Sequence, residues 1–385
     1  MPADEFTIER IETWACRLPL AQPLDFGRFV VRERHHTVMR LHTRDGRTGE
    51  CLTQSRGSPL DVVAAEVIAP RILGQSAQDI DALQRQVRDS LAAIEFDGAV
   101  GRAWSLAEIC LQDLRAKHAD QPLWRLLGAQ RSAATVLLVE GYALVGENDR
   151  EFVDRLVRRV HEGYRLIKIE AAHYADLDQL MRRLRMFRAA AGSSARLILD
   201  FAWSWSEAAR YANTLKQFLE FGVEWVEDPF SRDRVGDYAL LRAGGGVSLG
   251  CGDETTRPAD LAALLSADAI DVARIDATTI GGITAVRPLL SACLARGVRA
   301  SFHEHPEVHE HCVFGFGGVD HVEVFPADRP FDRVHELLES SPARRMREGM
   351  LHAQEEPGIG IRIRDDALKQ WAWRHTVVDQ RARAT

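Results

Sequence analysis

The sequence predicts an α/β protein, a (β/α) barrel preceded by an α+β unit and followed by a short returning segment. Two observations carry this expectation. From Ala134 onward, apolar strand-like runs stop at polar residues 170, 200, 227, 253, 276 and 303, spaced by 30, 27, 26, 23 and 27 positions, and each gives way to a helical pattern. That interval is one βα unit, which is too long for a sandwich strand. Before Ala134, strand-like alternation is followed by a block of helical periodicity, the order of an α+β unit. An open doubly wound sheet is the alternative, but no GxGxxG follows the first strand.

The elements follow in order. Residues 6–53 alternate in β fashion, and "TVMRLHTRDGRTGECL" reads as two strands joined at Asp45-Gly46. The Pro- and Gly-bearing "PLAQPLDFGRFVV" reads as a mobile loop between early strands. "DVVAAEVIAPRIL", "AQDIDALQRQVRDSLAAI" and "GRAWSLAEICLQDLRAKH" repeat apolar residues at three and four, which predicts helices. In the barrel region the strands "LIKIE", "RLILD", "VEWVE", "SLGCGD", "DVARID" and "VRASFH" alternate with helices such as "DLDQLMRRLRMFRAA" and "ITAVRPLLSACLARG". This divides the chain into residues 1–131, 132–348 and 349–385, the last carrying "PGIGIRIRDD" as a further turn and strand that packs back on the first unit.

Composition narrows the partners. The 385 residues are 46% apolar and 27% charged with net charge −7, and no long Lys/Arg block offers a phosphate-neutralising surface. Nucleic acid and acidic membranes are therefore excluded as expected partners. The six cysteines at 16, 51, 110, 251, 293 and 312 lack CxxC or ladder spacing, which fits reduced thiols and a cytoplasmic protein. The opening "MPADEFTIERIETWACRLPL" has acids where a signal peptide needs a basic start. No run approaches the roughly 20 apolar residues of a membrane span.

The chemistry-bearing residues lie at the strand ends. Asp200, Glu227 and Asp253 stop three successive strands. Any one of them could be an ordinary helix cap. Three together at a barrel mouth would repel unless a cation compensated them, and oxygen-only ligands favour Mg2+ over zinc. Asp228 and Glu254 stand beside them as supporting or alternative ligands. Asp276 and His303 end the next two strands, so a carboxylate can fix the imidazole tautomer of a general acid/base. In "HEHPEVHEH", Pro306 interrupts an HxxxH helix face, which predicts loop positions for His305, His309 and His311. Lys168 and Glu170 are two apart on a strand and share a face, either as a structural ion pair or as part of an active site.

With these residues in view, the chain resembles the enolase superfamily, in the group typified by mandelate racemase, over nearly its whole length. The likeness is carried by "EICLQDLRAKHADQPLWRLLG", "EDP", "ARIDATTIGGIT" and "PGIGI". The resemblance implies a (β/α)7β TIM-like barrel with an N-terminal capping domain completed by the C-terminal segment. It also implies a homo-oligomer acting on a small carboxylate, with Mg2+ on Asp200, Glu227 and Asp253 stabilising an enediolate. The Asp/His dyad falls on Asp276 and His303, and the eighth-strand acid that hydrogen-bonds the enediolate falls on Glu323.

Two positions depart from the family pattern. Its second strand reads KxK, whereas here Glu170 follows Lys168; its third reads DxN, whereas here Ala202 follows Asp200. With an ordinary pKa of about 4.3, lowered further by Lys168, Glu170 is a poor second-face base. The expectation is therefore a Mg2+-dependent dehydratase of a sugar acid. In it His303 and Asp276 do the proton transfer, Lys168 binds the substrate carboxylate or a metal ligand, and Glu170 binds a substrate hydroxyl, the Lys168–Glu170 ion pair serving the pocket. A racemase or epimerase with an unusual second-strand base is the alternative, and a catalytically silent relative is a further one.

Overall fold

The computed structural model describes residues 4–174 and 177–380. Three antiparallel strands open the chain, β1 (Ile8–Asp25), β2 (Val30–Thr43) and β3 (Thr48–Gln54). A helical run from Leu60 to Ile72 follows, with a π-helical turn at Ala64–Ile68. Helices α1 (Ile80–Ser90), α2 (Gly98–His118) and α3 (Leu123–Leu127) complete this region. Asp79 caps α1 by accepting from the Ala82 amide at 2.9 Å. Helix α2 is buried on most sides, because β2 and β3 pack on one flank and the barrel on the other. A side chain at Gly49 of β3 would bring its Cβ to 2.2 Å from the Cys110 carbonyl oxygen, so the strand reaches α2 only as glycine.

Eight parallel strands form the barrel: β4 (Ala133–Val139), β5 (Leu166–Glu170), β6 (Arg196–Asp200), β7 (Val223–Glu227), β8 (Ser248–Cys251), β9 (Val272–Ile275), β10 (Arg299–Phe302) and β11 (His321–Val324). They pair in sequence order from β4 to β10, and β11 pairs with the other edge of β4. One helix follows each of the first seven: α4 (Asp149–His161), α5 (Leu177–Ala191), α6 (Ala208–Phe218), α7 (Val235–Ala243), α8 (Pro258–Ser266), α9 (Ile283–Ala295) and α10 (Pro306–Phe316). This is the expected (β/α)7β arrangement. Asp176, where the helix after β5 was expected to start, lies outside the described residues, as do the last five residues of the returning segment. That segment supplies β12 (Met350–His352), antiparallel to β4, and β13 (Ala372–Asp379), antiparallel to β1.

Two expectations are corrected here. "PGIGIRIRDD" is not a strand: it makes only isolated bridges, Gly358 to Pro122 and Ile363 to Leu338, and the strand of this segment is β13. "PLAQPLDFGRFVV" is not a free loop but the far end of the β1–β2 ribbon. Its prolines lack amide donors, so the ladder breaks between Pro19 and Leu24 and resumes at Leu24 opposite Val31. The ribbon tip is anchored over the barrel, where Phe26 meets Tyr142 edge-on at 5.6 Å and Arg28 Nη1 donates to the Trp203 carbonyl at 2.7 Å.

The paired glycines of "TTIGGIT" join the two halves. Glu108 of α2 accepts from the Ile283 and Thr284 amides at 2.8 and 3.1 Å, at the N-terminus of α9. Gly282, at φ +89°, admits that carboxylate, since a Cβ there would lie 2.1 Å from Glu108 Oε2.

Candidate active site

Parallel strands point their C-terminal ends at one mouth of the barrel, and the polar residues expected there converge. Carboxylate oxygens of Asp200, Glu227 and Asp253 lie within 4.8 Å of one another. Asp228, at φ +39°, stands behind them and accepts from the Gly252 and Asp253 amides at 3.1 and 3.2 Å, fixing the turn that carries Asp253. Burial, and after it the charges of Glu227 and Asp200, push the Asp228 carboxyl up to about 7. Glu254 is not one of this cluster; its carboxylate pairs with Arg56, Nε to Oε1 at 2.7 Å, and with Arg102.

Lys168 projects from β5 into the triad. Its ammonium lies 2.9 Å from Asp200 Oδ2, 3.4 Å from Glu323 Oε1 and 3.8 Å from Asp253 Oδ2, and it also hydrogen-bonds Glu227. Glu170 is not among its partners, so the expected Lys168–Glu170 ion pair is absent among the described residues. The expected effect on Glu170 is reversed as well. Burial first, and the charge of Asp200 second, raise its carboxyl well above the ordinary range, against the Ala172 amide and the Lys168 ammonium, which pull it down. Glu170 Oε1 accepts from the Ala172 amide at 2.9 Å. Its side chain lines the same cavity as Lys168, Asp200, Asp253 and His303.

Arg274, in the middle of β9, is the residue that reading the sequence missed. It is fully buried, with Nε 3.1 Å from Glu227 Oε2 and 3.0 Å from Asp253 Oδ1, and its Nη2 pairs with Glu323. The available signal was an arginine inside the apolar run "DVARID", two residues before Asp276 and so on its face. Glu323 is held between Arg274 and Lys168 and accepts from the Glu304 amide at 3.3 Å. It lies behind the cavity wall rather than in it.

The dyad forms as expected. His303 Nδ1 is 3.3 Å from Asp276 Oδ2, while Asp276 Oδ1 accepts from the Thr278 amide and hydroxyl, each at 2.8 Å. A donor on Nδ1 leaves Nε2 as the basic nitrogen of the ring, 3.5 Å from Asp253 Oδ2. Burial alone would lower the His303 pKa, but Asp253, Glu304, Asp276 and Glu254 together raise it to about 10.

A divalent cation fits this donor set. Four buried carboxylates, those of Asp200, Glu227, Asp253 and Glu323, face two buried cations, Lys168 and Arg274. Two negative charges are left over. The titration of the acids reflects the deficit. Glu227, touched by both cations, is held at about 2 against its burial, whereas burial drives Asp253 well up. All the donors are oxygens, which suits Mg2+. A base must be neutral near neutral pH, so His303 needs the charge on Asp253 offset before it can serve.

The histidines of "HEHPEVHEH" were expected in a loop, but Pro306 occupies the first position of α10, where a missing amide costs nothing. His305 precedes it at φ +44°, its Nδ1 3.1 Å from Glu307. His309 and His311 lie inside the helix as neutral rings with tautomers set by the backbone. His309 Nε2 accepts from the Ala277 amide at 2.9 Å and Nδ1 donates to the Glu304 carbonyl at 2.7 Å. His311 Nδ1 accepts from the Trp124 amide at 3.2 Å and Nε2 donates to the Ile359 carbonyl at 2.9 Å. Burial holds His311 down at about 4. Its contribution to stability is therefore complete above the unfolded pKa of about 6.5 and is lost as pH falls toward 4. Between pH 7 and pH 5, urea unfolding of the intact protein should lose about 2 kcal/mol more than that of His311→Gln, whose amide preserves both bonds without titrating. Equal losses would show that His311 is not held neutral.

Comparisons with known proteins agree with this architecture. Residues 10–128 match the family model of the mandelate racemase / muconate lactonizing enzyme N-terminal domain, and residues 151–367 match that of the enolase C-terminal domain-like family. The chain is 25% identical to the L-talarate/galactarate dehydratase of Salmonella typhimurium, over 94% of this chain and 90% of that protein. It is 24% identical to the D-Ala-D/L-Ala epimerase of Cytophaga hutchinsonii, over 72% and 74% of the two chains. The fold superposes with a TM-score of 0.87 on the L-talarate dehydratase of Polaromonas sp. JS666 complexed with Mg and L-glucarate, at 22% identity and covering 97% and 99% of the two chains. Among the described residues no helix is long and apolar enough to cross a membrane, and the six cysteines are buried and unpaired.

Proposed function

The chain belongs to the mandelate racemase / muconate lactonizing enzyme group of the enolase superfamily, and on that premise we propose that this enzyme is a Mg2+-dependent acid-sugar dehydratase. Asp200, Glu227 and Asp253 would hold Mg2+, which when bound supplies positive charge against the enediolate. The observation that carries the reading is the hydrogen-bonded pair of His303 with Asp276, whose imidazole lines the same cavity as Asp200 and Asp253, while Glu170 stands where the family pattern has a lysine.

His303 Nε2 removes the proton α to the substrate carboxylate, and Asp276 stabilises the imidazolium that forms. The electron pair of the broken C–H bond becomes the enediolate and then expels the β-hydroxyl, which leaves as water with a proton returned by His303. The resulting enol ketonises to a 2-keto-3-deoxy acid. Lys168 steadies the metal-side carboxylates, and Glu170 hydrogen-bonds a substrate hydroxyl. A dehydratase among the relatives supports this assignment. The sealed thiols support a reducing, cytoplasmic setting.

A racemase remains the second reading because of one observation. Glu170 lines the cavity with His303, and a carboxyl whose pKa is raised by burial is a candidate to carry a proton to another side of the substrate. Incubation with a panel of sugar acids in D2O, with and without Mg2+, decides between them. The dehydratase reading expects Mg2+-dependent release of 2-keto-3-deoxy product, recovered substrate of unchanged α-configuration, and a Glu170→Gln variant whose KM rises more than its kcat falls. Inverted, α-deuterated substrate that disappears in Glu170→Gln would make Glu170 a catalytic base in a racemase.

A further inference from the structure

The cavity between barrel and cap, about 450 Å3 in volume, has a second charged end. Its floor holds Asp200, Asp253 and His303, and its roof is the tip of the β1–β2 ribbon together with Gln54 and Arg56. The buried cations at and beneath the floor are matched by carboxylates: Lys168 meets four and Arg274 meets three. At the roof, Arg56 pairs with Glu254 and Glu304. Arg34 of β2 is different. It lines the cavity and is only 2% exposed, yet no carboxylate lies within 4.0 Å of it among the described residues. Its Nε donates to the Phe331 carbonyl at 3.1 Å, and its buried Nη2 has no hydrogen-bond partner there.

A guanidinium kept out of water without an anion is unfavourable unless a ligand supplies one. The nearby acid does not answer it, because Glu304 Oε2 is engaged by Gln54 Nε2 at 2.7 Å and Arg56 Nη2 at 3.2 Å. Tyr142 lines the same cavity. Burial raises its phenol, with Arg34 pulling it down against Glu170, Glu304 and Asp200. A molecule with its reacting carboxylate at the triad and its α-carbon at His303 would extend its far end toward Arg34.

We propose that Arg34 binds a second carboxylate of the substrate, so that the enzyme takes aldaric acids, which carry a carboxylate at each end, in preference to aldonic acids. This rests on the dehydratase reading only in assigning which end reacts. Binding is measured by calorimetry on the Mg2+-loaded His303→Asn protein, which stops turnover, with six-carbon aldarates (galactarate, glucarate, mannarate), the matching aldonates and 6-phosphogluconate as probes. At least one aldarate should bind about tenfold to a hundredfold more tightly than its aldonate, a difference typical of a charged hydrogen bond. Adding Arg34→Gln should remove that difference while leaving aldonate affinity unchanged, and Arg34→Lys should restore part of it.

Failure of every aldarate to outbind its aldonate overturns the proposal, whether or not the intact enzyme dehydrates a monoacid. A preference for 6-phosphogluconate over every aldarate overturns the assignment to a carboxylate. The comparison on the His303→Asn protein needs no change at Arg34, so misfolding of an Arg34 variant cannot decide it. Tight aldarate binding that depends on Arg34, without elimination by the intact enzyme, would support Arg34 and refute the dehydratase.

Discussion

Turnover by a His303→Asn enzyme is expected to fall by about three to four orders of magnitude while Mg2+ affinity stays within a few-fold of the original. The reason is the division of labour at the barrel mouth. His303 contributes no ligand atom to the triad, and its Nδ1 is tied to Asp276, so the substitution removes the proposed proton carrier and little else. An asparagine amide can still donate to Asp276 but has no basic nitrogen. Asp276→Asn should be comparably damaging, because an amide offers His303 no charge and allows the wrong tautomer. Measuring kcat beside a Mg2+ titration separates loss of chemistry from loss of metal. Undiminished turnover in His303→Asn would mean that another group takes the α-proton.

The second large effect concerns stability. Arg274 is the only guanidinium among the described residues in contact with Glu227, Asp253 and Glu323 together, and it has no exposure to water. Arg274→Met leaves Lys168 as the cation shared by those carboxylates, with the His303 ring beside Asp253. Breaking a buried network in this way costs about 3–5 kcal/mol, and urea unfolding without metal should show a loss of that order. Saturating Mg2+ should recover more stability in the variant than in the intact protein, since the variant is missing positive charge. Lysine is not a substitute, because an ammonium is a compact point charge and lacks the rigid planar set of donors by which Arg274 reaches these acids from its own strand. A loss below about 1 kcal/mol would show that the acids discharge by taking up protons instead.

The legible and the hidden parts of this molecule differ in the range of the interactions that fix them. Strand ends were legible because a polar residue closing an apolar run is a local pattern. The triad and dyad positions follow from that pattern and from the constant βα interval. The partner of Lys168 was not legible. Two residues on one strand face suggest each other, yet the ammonium is captured by Asp200 and Glu227 from the next two strands, where the net field is more negative. The expectation for Glu170 failed because burial and the charge of Asp200 outweigh the pull of Lys168. Arg274 was hidden, like the partner of Lys168, because its three acids come from strands β7 and β11 and from the turn after β8. Pro306 was misread because its meaning depends on where the helix starts, and the ribbon was misread because two prolines obscure a ladder that resumes beyond them.

The pairing of β13 with β1 has a consequence for how the chain matures. The His375 ring contacts Glu12 across 363 positions of sequence, so the first strand of the cap waits beside an open edge until the whole barrel has been synthesised. An exposed strand edge is a template for intermolecular pairing, and distant partners are slow to find each other. During synthesis the barrel strands can pair as they emerge, while β1 stays exposed longest. Nascent chains stalled after α10 should therefore resist proteolysis across β4–β10 while remaining cleavable in β1, and protection of β1 should appear only once β13 is free of the ribosome.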